Sequence, residues 1–165
     1  MKLYILDKTS TTFIKKLSSF SREKGAGQDK ISKSYSQEVM AICVSKERTV
    51  GIDLEKRRIR SPETISHFVE KFATFQLKNV PRKVNEEWFY KAWTAMESYF
   101  KLAGDGFGTQ KDFTLDLEGK SIWRDSSEVA WFEHYFIDDY ICCLCSDEMF
   151  SNEDVQIIDR RDLDK

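Results

Sequence analysis

Two periods of apolar and polar positions alternate along this chain, and the changes between them mark its elements. Residues 39–45 (VMAICVS) and 49–55 (TVGIDLE) read as strands separated by the polar Lys46-Glu47-Arg48. A β-hairpin is expected there, with residues 34–36 brought to one end of it. Residues 85–103 (NEEWFYKAWTAMESYFKLA) place apolar side chains at Trp88, Phe89, Ala92, Trp93, Met96, Phe100 and Ala103, which is helical spacing. Residues 1–6 predict a short strand, and residues 10–23 a helix capped by Ser10 or Thr11. Pro62 opens a further helix with Ile65, Phe68, Val69 and Phe72 on one face, ending before Asn79-Val80-Pro81. Beyond a turn at Gly104-Asp105-Gly106 the chain reads mostly as strands, at 113–117, 121–123, 131–137, 140–146 and 155–158. The class is therefore α+β. One internal echo is visible, between residues 40–47 (MAICVSKE) and 141–148 (ICCLCSDE).

Composition narrows the function classes. A chain of 165 residues, 41% hydrophobic and with only two prolines and seven glycines, is expected to form one domain over 1–165 rather than modules on linkers. A net charge of −2 carries no global signature for nucleic acid or membrane, so a charged partner must be met by a local patch. No run of eighteen apolar residues occurs and the first residues lack a cleavage-type segment, so a cytoplasmic location is expected. Cys43, Cys142, Cys143 and Cys145 show neither C-x-x-C spacing nor clustered histidines, and read as buried thiols. Cys142 and Cys143 would face opposite ways, so only a subset can meet Cys43. His67 on a helix and His134 on a strand show no nucleophile-base spacing. Residues 24–30 (KGAGQDK) read as a plain loop, or as one whose lysines and glycines wrap a phosphate, although the phosphate-loop pattern is absent.

Candidate chemistry starts at Gly51-Ile52-Asp53-Leu54-Glu55. Strand alternation puts Asp53 and Glu55 on one face, with Ile52 and Leu54 turned into a core. Two carboxylates so placed share one divalent cation or raise one another's pKa; alternatively they form the solvated face of an edge strand. Gly51 admits the close approach of another backbone or a ligand. On the helix, Trp93, Glu97 and Lys101 recur every fourth residue and form one stripe, which is either a site or a surface ion pair beside a core tryptophan. The basic run 56–60 (KRRIR) is either a solvated face or an attractor of phosphates or an acidic protein.

Together the two stretches resemble the 4′-phosphopantetheinyl transferases of the surfactin-synthetase type. That family carries G-[IV]-D-x-E and then W-[ST]-x-K-E-[AS]-x-x-K; here the pattern is Gly51-Ile52-Asp53-Leu54-Glu55 and Trp93-Thr94-Ala95-Met96-Glu97-Ser98-Tyr99-Phe100-Lys101. The resemblance extends upstream through Ser34-Tyr35-Ser36 and downstream to about Leu163, and implies a fold of two similar α+β halves related by a pseudo-twofold, roughly 1–80 and 81–165. It implies transfer of the phosphopantetheine arm of coenzyme A to a serine of an acyl or peptidyl carrier protein. Asp53, Glu55 and Glu97 would hold Mg²⁺, Glu97 would act as base, Lys101 would pair with a phosphate, and Ser34, Tyr35 and Ser36 would bind coenzyme A.

Two positions depart from the family pattern. Met96 stands in place of a lysine, and Tyr35 in place of a histidine that helps bind the 3′-phosphate of coenzyme A; a tyrosine hydroxyl hydrogen-bonds a phosphate without pairing with its charge. The N-terminal part is expected to be shortened, with Lys24 and Lys30 as candidates for its basic residues. A monomer is expected, with neither nucleic acid nor membrane as partner. Two rival readings stay open: a non-catalytic binding protein that retains the fold, and a metal-dependent phosphoester hydrolase.

Overall fold

The computed structural model describes residues 1–7, 29–72, 77–104 and 112–159. The helix expected at 10–23, the loop to Lys30 up to Gln28, and Asp105-Gly106 of the expected turn lie outside those residues. Among the described residues ten strands form two sheets. The first has the order β10 (Gln156–Asp159), β1 (Lys2–Asp7), β3 (Val39–Ser45), β2 (Lys30–Ser36). The second runs β4 (Val50–Lys56), β9 (Tyr140–Ser146), β8 (Ser127–Ile137), β7 (Ser121–Arg124), β6 (Thr114–Asp116), β5 (Leu77–Lys78). Two helices are described, α1 (Pro62–Phe72) and α2 (Glu86–Ala103). Neither is long and apolar enough to cross a membrane.

The expected hairpin between 39–45 and 49–55 does not form. β3 pairs with β1 and β2, whereas β4 leaves for the other sheet and pairs antiparallel with β9, Asp53 opposite Cys143. The true hairpin joins β2 to β3 through Gln37-Glu38, with Gln37 in the left-handed region at φ 55°. That pair lacks the Asn-Gly or Asp-Gly chemistry that announces a tight turn, while Lys46-Glu47-Arg48 looks like a turn and serves as a crossover. The choice of β9 as partner is made ninety residues away and leaves no local mark.

β9 explains its own unbroken apolar run. Ile141, Cys143 and Cys145 join the core under the helices, with Phe89, Met96 and Phe100 of α2; Tyr140, Cys142 and Leu144 join the core between the sheets, with Leu3, Ile5, Cys43, Ile52 and Leu54. A strand covered on both faces needs no polar alternation. All four cysteines are free and buried, and Cys142 shares the inter-sheet core with Cys43 while Cys143 faces the other way.

α2 begins at Asn85, whose side chain accepts the Trp88 amide, and ends at Gly104, which takes φ 74°. It lies directly on β4. A Cβ placed on Gly51 would stand 1.9 Å from the Ser98 carbonyl oxygen and 2.6 Å from the Leu102 nitrogen. The missing side chain at Gly51 thus admits the helix backbone itself, and this contact sets how the stripe of Trp93, Glu97 and Lys101 meets the strand.

Candidate active site

β4 is the edge of its sheet, and edge amides need partners. They find them on β2, the edge of the other sheet, whose alternate serines face β4. The Ile52 amide donates to Ser32 Oγ at 3.0 Å and the Lys56 amide to Ser36 Oγ at 2.9 Å. Between them Ser34 Oγ donates to Asp53 Oδ1 at 2.9 Å, and Ser36 Oγ reaches Glu55 Oε2 at 3.4 Å. A period-two run of serines, 32, 34 and 36, therefore closes the gap between the sheets and fixes both acids. Ser32 lies outside the motif, and the period-two alternation of serines on β2 is the sequence signal that points to it.

From the helix side, Lys101 Nζ donates to Asp53 Oδ1 at 2.8 Å and to Ser34 Oγ at 2.9 Å. Lys101 thus pairs with the strand acid rather than with Glu97 on its own helix. Trp93, two turns earlier, hydrogen-bonds the Glu55 carboxylate through its side chain. Glu97 lies between them on the stripe, half-buried. Helix and strand run past one another so that 93 meets 55 and 101 meets 53.

The electrostatics follow from burial. Asp53 is only 5% exposed, and burial pushes its carboxyl up, opposed by the Lys101 ammonium and by hydrogen bonds from Lys101 and Ser34. Glu55 and Glu97 are raised by burial and then by the charge of Asp53. Mutual repulsion of this kind means that the three acids occupy one neighbourhood. Asp53 Oδ2 is buried without a hydrogen-bond partner among the described residues. As they stand, no three His, Cys, Asp or Glu side chains among the described residues are gathered closely enough to hold a metal ion.

The other expected site residues are scattered. Tyr35 alternates to the far face of β2 and is 44% exposed, away from the acids that Ser34 and Ser36 touch. Met96 is fully buried in the core under the helices, so this departure from the motif is a packing matter. Lys30 Nζ donates to the Glu47 carbonyl and Thr49 Oγ1, at the opposite end of β2 from Ser36. Lys24 lies outside the described residues. His67 is exposed on α1, and His134 Nε2 donates to the Lys91 carbonyl at 3.0 Å.

The basic run is not a loose solvated stretch. The hydroxyl of Tyr90, from α2, accepts the Arg58 amide and Arg60 Nε and donates to the Arg58 carbonyl. Lys56 pairs with Asp139, and Arg57 donates to the Asp138 carbonyl and lies over the half-exposed Phe136 ring. Arg58 and Ile59 remain exposed. At the far edge of the six-stranded sheet an open groove of about 570 Å³ is lined by Lys78, Phe113, Thr114, Trp123 and Arg124, and shares no residue with the acids.

The model of the 4′-phosphopantetheinyl transferase superfamily matches residues 49–157, well over half of the chain, and that span holds Asp53, Glu55, Glu97 and Lys101. The chain belongs to this superfamily. It is also similar to the 4′-phosphopantetheinyl transferase HetI of Nostoc sp. (strain PCC 7120), 26% identical over 102 residues. That alignment covers 59% of this chain and 42% of HetI, so the chain matches less than half the length of that relative.

Proposed function

We propose that this protein transfers the 4′-phosphopantetheine arm of coenzyme A to a serine hydroxyl of an acyl or peptidyl carrier protein, as a cytoplasmic, Mg²⁺-dependent monomer of the surfactin-synthetase or holo-[acyl-carrier-protein] synthase type. The observation that carries this reading is the meeting of Asp53 and Glu55 of β4 with Glu97 and Lys101 of α2, within the span that matches the superfamily.

The donor set fits Mg²⁺ in kind. Three carboxylates offer hard oxygen ligands, and Asp53 Oδ2 is buried with no partner among the described residues. Asp53, Glu55 and Glu97 would hold the ion, which when bound supplies charge neutralisation to the pyrophosphate. The chain's own groups do the rest. Glu97, raised by burial and by Asp53, is a stronger base than a solvated carboxylate and takes the proton of the attacking serine. The serine oxygen forms its bond to the phosphorus bearing the pantetheine arm, and the bond to the other phosphate breaks, releasing adenosine 3′,5′-bisphosphate. Lys101 offers an ammonium to the phosphate oxygens where negative charge grows. Ser34 and Ser36 orient Asp53 and Glu55; direct coenzyme A contacts by Ser34, Ser36 and Tyr35 rest on the resemblance alone, with Tyr35 on the face of β2 turned away from the acids.

The echo between 40–47 and 141–148 falls on β3 and β9, each an interior strand of its own sheet, and supports reading the fold as two similar halves, roughly 1–80 and 81–165. The burial of Met96 removes one of the two motives for a non-catalytic reading. The test is release of adenosine 3′,5′-bisphosphate from coenzyme A. Release that requires an apo carrier protein is expected; release in its absence would indicate a hydrolase, and none in its presence a binding protein.

A further inference from the structure

We propose that Lys101 is a built-in counter-cation of the acid cluster, which competes with the divalent ion for Asp53 and is set free to meet phosphate when that ion binds. The inference rests on the Mg²⁺ reading above and concerns which group of this chain opposes the ion.

The geometry is one-sided. Lys101 Nζ lies 2.8 Å from Asp53 Oδ1 and 2.9 Å from Ser34 Oγ, while Asp53 Oδ2 has no partner among the described residues. The carboxylate side chain is 7% exposed and that of the lysine 33%. The acid is therefore fixed in the wall and the cation reaches it from the solvent side. Glu55 and Glu97 add two further carboxylates whose charges Asp53 opposes, so a divalent ion would offset repulsion that one ammonium offsets only in part.

Release of Lys101 needs no change of fold. Its ammonium sits on a flexible four-carbon stem in the last turn of α2, where a cation is favourably placed. Competition for one carboxylate is reciprocal: whatever Lys101 costs the ion in affinity, the ion costs the Lys101–Asp53 pair in stability.

The test is calorimetric titration of Mg²⁺ into the protein without coenzyme A, paired with thermal unfolding in EDTA and in saturating Mg²⁺. Lys101→Gln keeps a hydrogen-bond donor and removes the charge. It is expected to bind Mg²⁺ about fivefold or more tighter than wild type, the lower end of ordinary coupling between sites. It is also expected to melt lower in EDTA and to gain more from Mg²⁺. Lys56→Met removes the same charge next to Glu55, from a lysine paired with Asp139, and is expected to leave the affinity unchanged. Equal or weaker binding by Lys101→Gln, or an equal gain in both variants, overturns the proposal. If Lys101→Gln does not fold, Lys101→Arg decides: its planar fork grips the carboxylate more tightly and should weaken Mg²⁺ binding, and unchanged affinity there overturns the proposal. Absence of Mg²⁺ binding in wild type and every variant overturns the metal reading and this inference with it.

Discussion

Ser34 Oγ and Asp53 Oδ1 meet at 2.9 Å across the seam between the two sheets, a serine from one edge strand holding an acid on the other. Both are buried, at 4% and 5% exposure, so neither can turn to water if the other is lost. The contact joins architecture to chemistry: the residue that helps seal the seam also orients the most buried acid of the site.

Ser34→Ala should therefore cost about 1–3 kcal/mol of stability, because a buried carboxylate loses a donor. Urea unfolding measures it. Activity should fall as well, through a weakened hold on Mg²⁺; if Ser34 instead serves coenzyme A directly, the KM for coenzyme A will carry the whole effect.

Gly51→Ala tests the seating of the helix. The new methyl would meet the Ser98 carbonyl and the Leu102 amide, backbone atoms that cannot turn aside, so α2 must lift from β4. A loss of about 3 kcal/mol or more is expected, seen as a large drop in the thermal midpoint. Any folded remnant should have lost the Lys101–Asp53 pair.

Asn85→Ala separates fold from chemistry. Removing the cap on the Trp88 amide should cost about 1 kcal/mol in urea unfolding, with the transfer rate per folded molecule unchanged, because Asn85 stands three turns from Glu97.

The inward-facing apolar positions and the acid stripe were legible in the sequence, and the pairing of the strands was not. Ile52 and Leu54 alternate against Asp53 and Glu55, and Trp93, Glu97 and Lys101 recur at helical spacing, so the faces follow from local period alone. β4 pairing with β9 rather than β3 is a non-local choice, made by a strand whose two faces are both apolar. The hydrogen bond from Trp93 to Glu55 and the Tyr90 latch on the basic run depend on how α2 crosses β4, and that crossing is set by one glycine. Lys30 illustrates the limit of residue type: its charge suited a phosphate, yet its position on β2 delivers it to the Glu47 carbonyl.

His134 contributes one part of the pH dependence of stability. Burial holds it down at about 4, against an ordinary value of 6.5, while its Nε2–H donates to the Lys91 carbonyl. The unfolded chain takes up a proton first, so stability is complete above about pH 6.5 and is lost as pH falls towards 4. A loss of about 1–2 kcal/mol between roughly pH 7 and 5 is expected from this residue. Urea midpoints at the two pH values measure it, and His134→Gln should flatten the dependence.

Carrier modification is tested most directly by the intact mass of an apo carrier protein after incubation with this protein, coenzyme A and Mg²⁺. A gain of one phosphopantetheine arm is expected with wild type, and a rate lower by about 100-fold or more with folded Asp53→Asn or Glu97→Gln. The proposed transfer would be contradicted by a gain that survives both substitutions, or by no gain on any of several carriers from wild-type protein that binds coenzyme A.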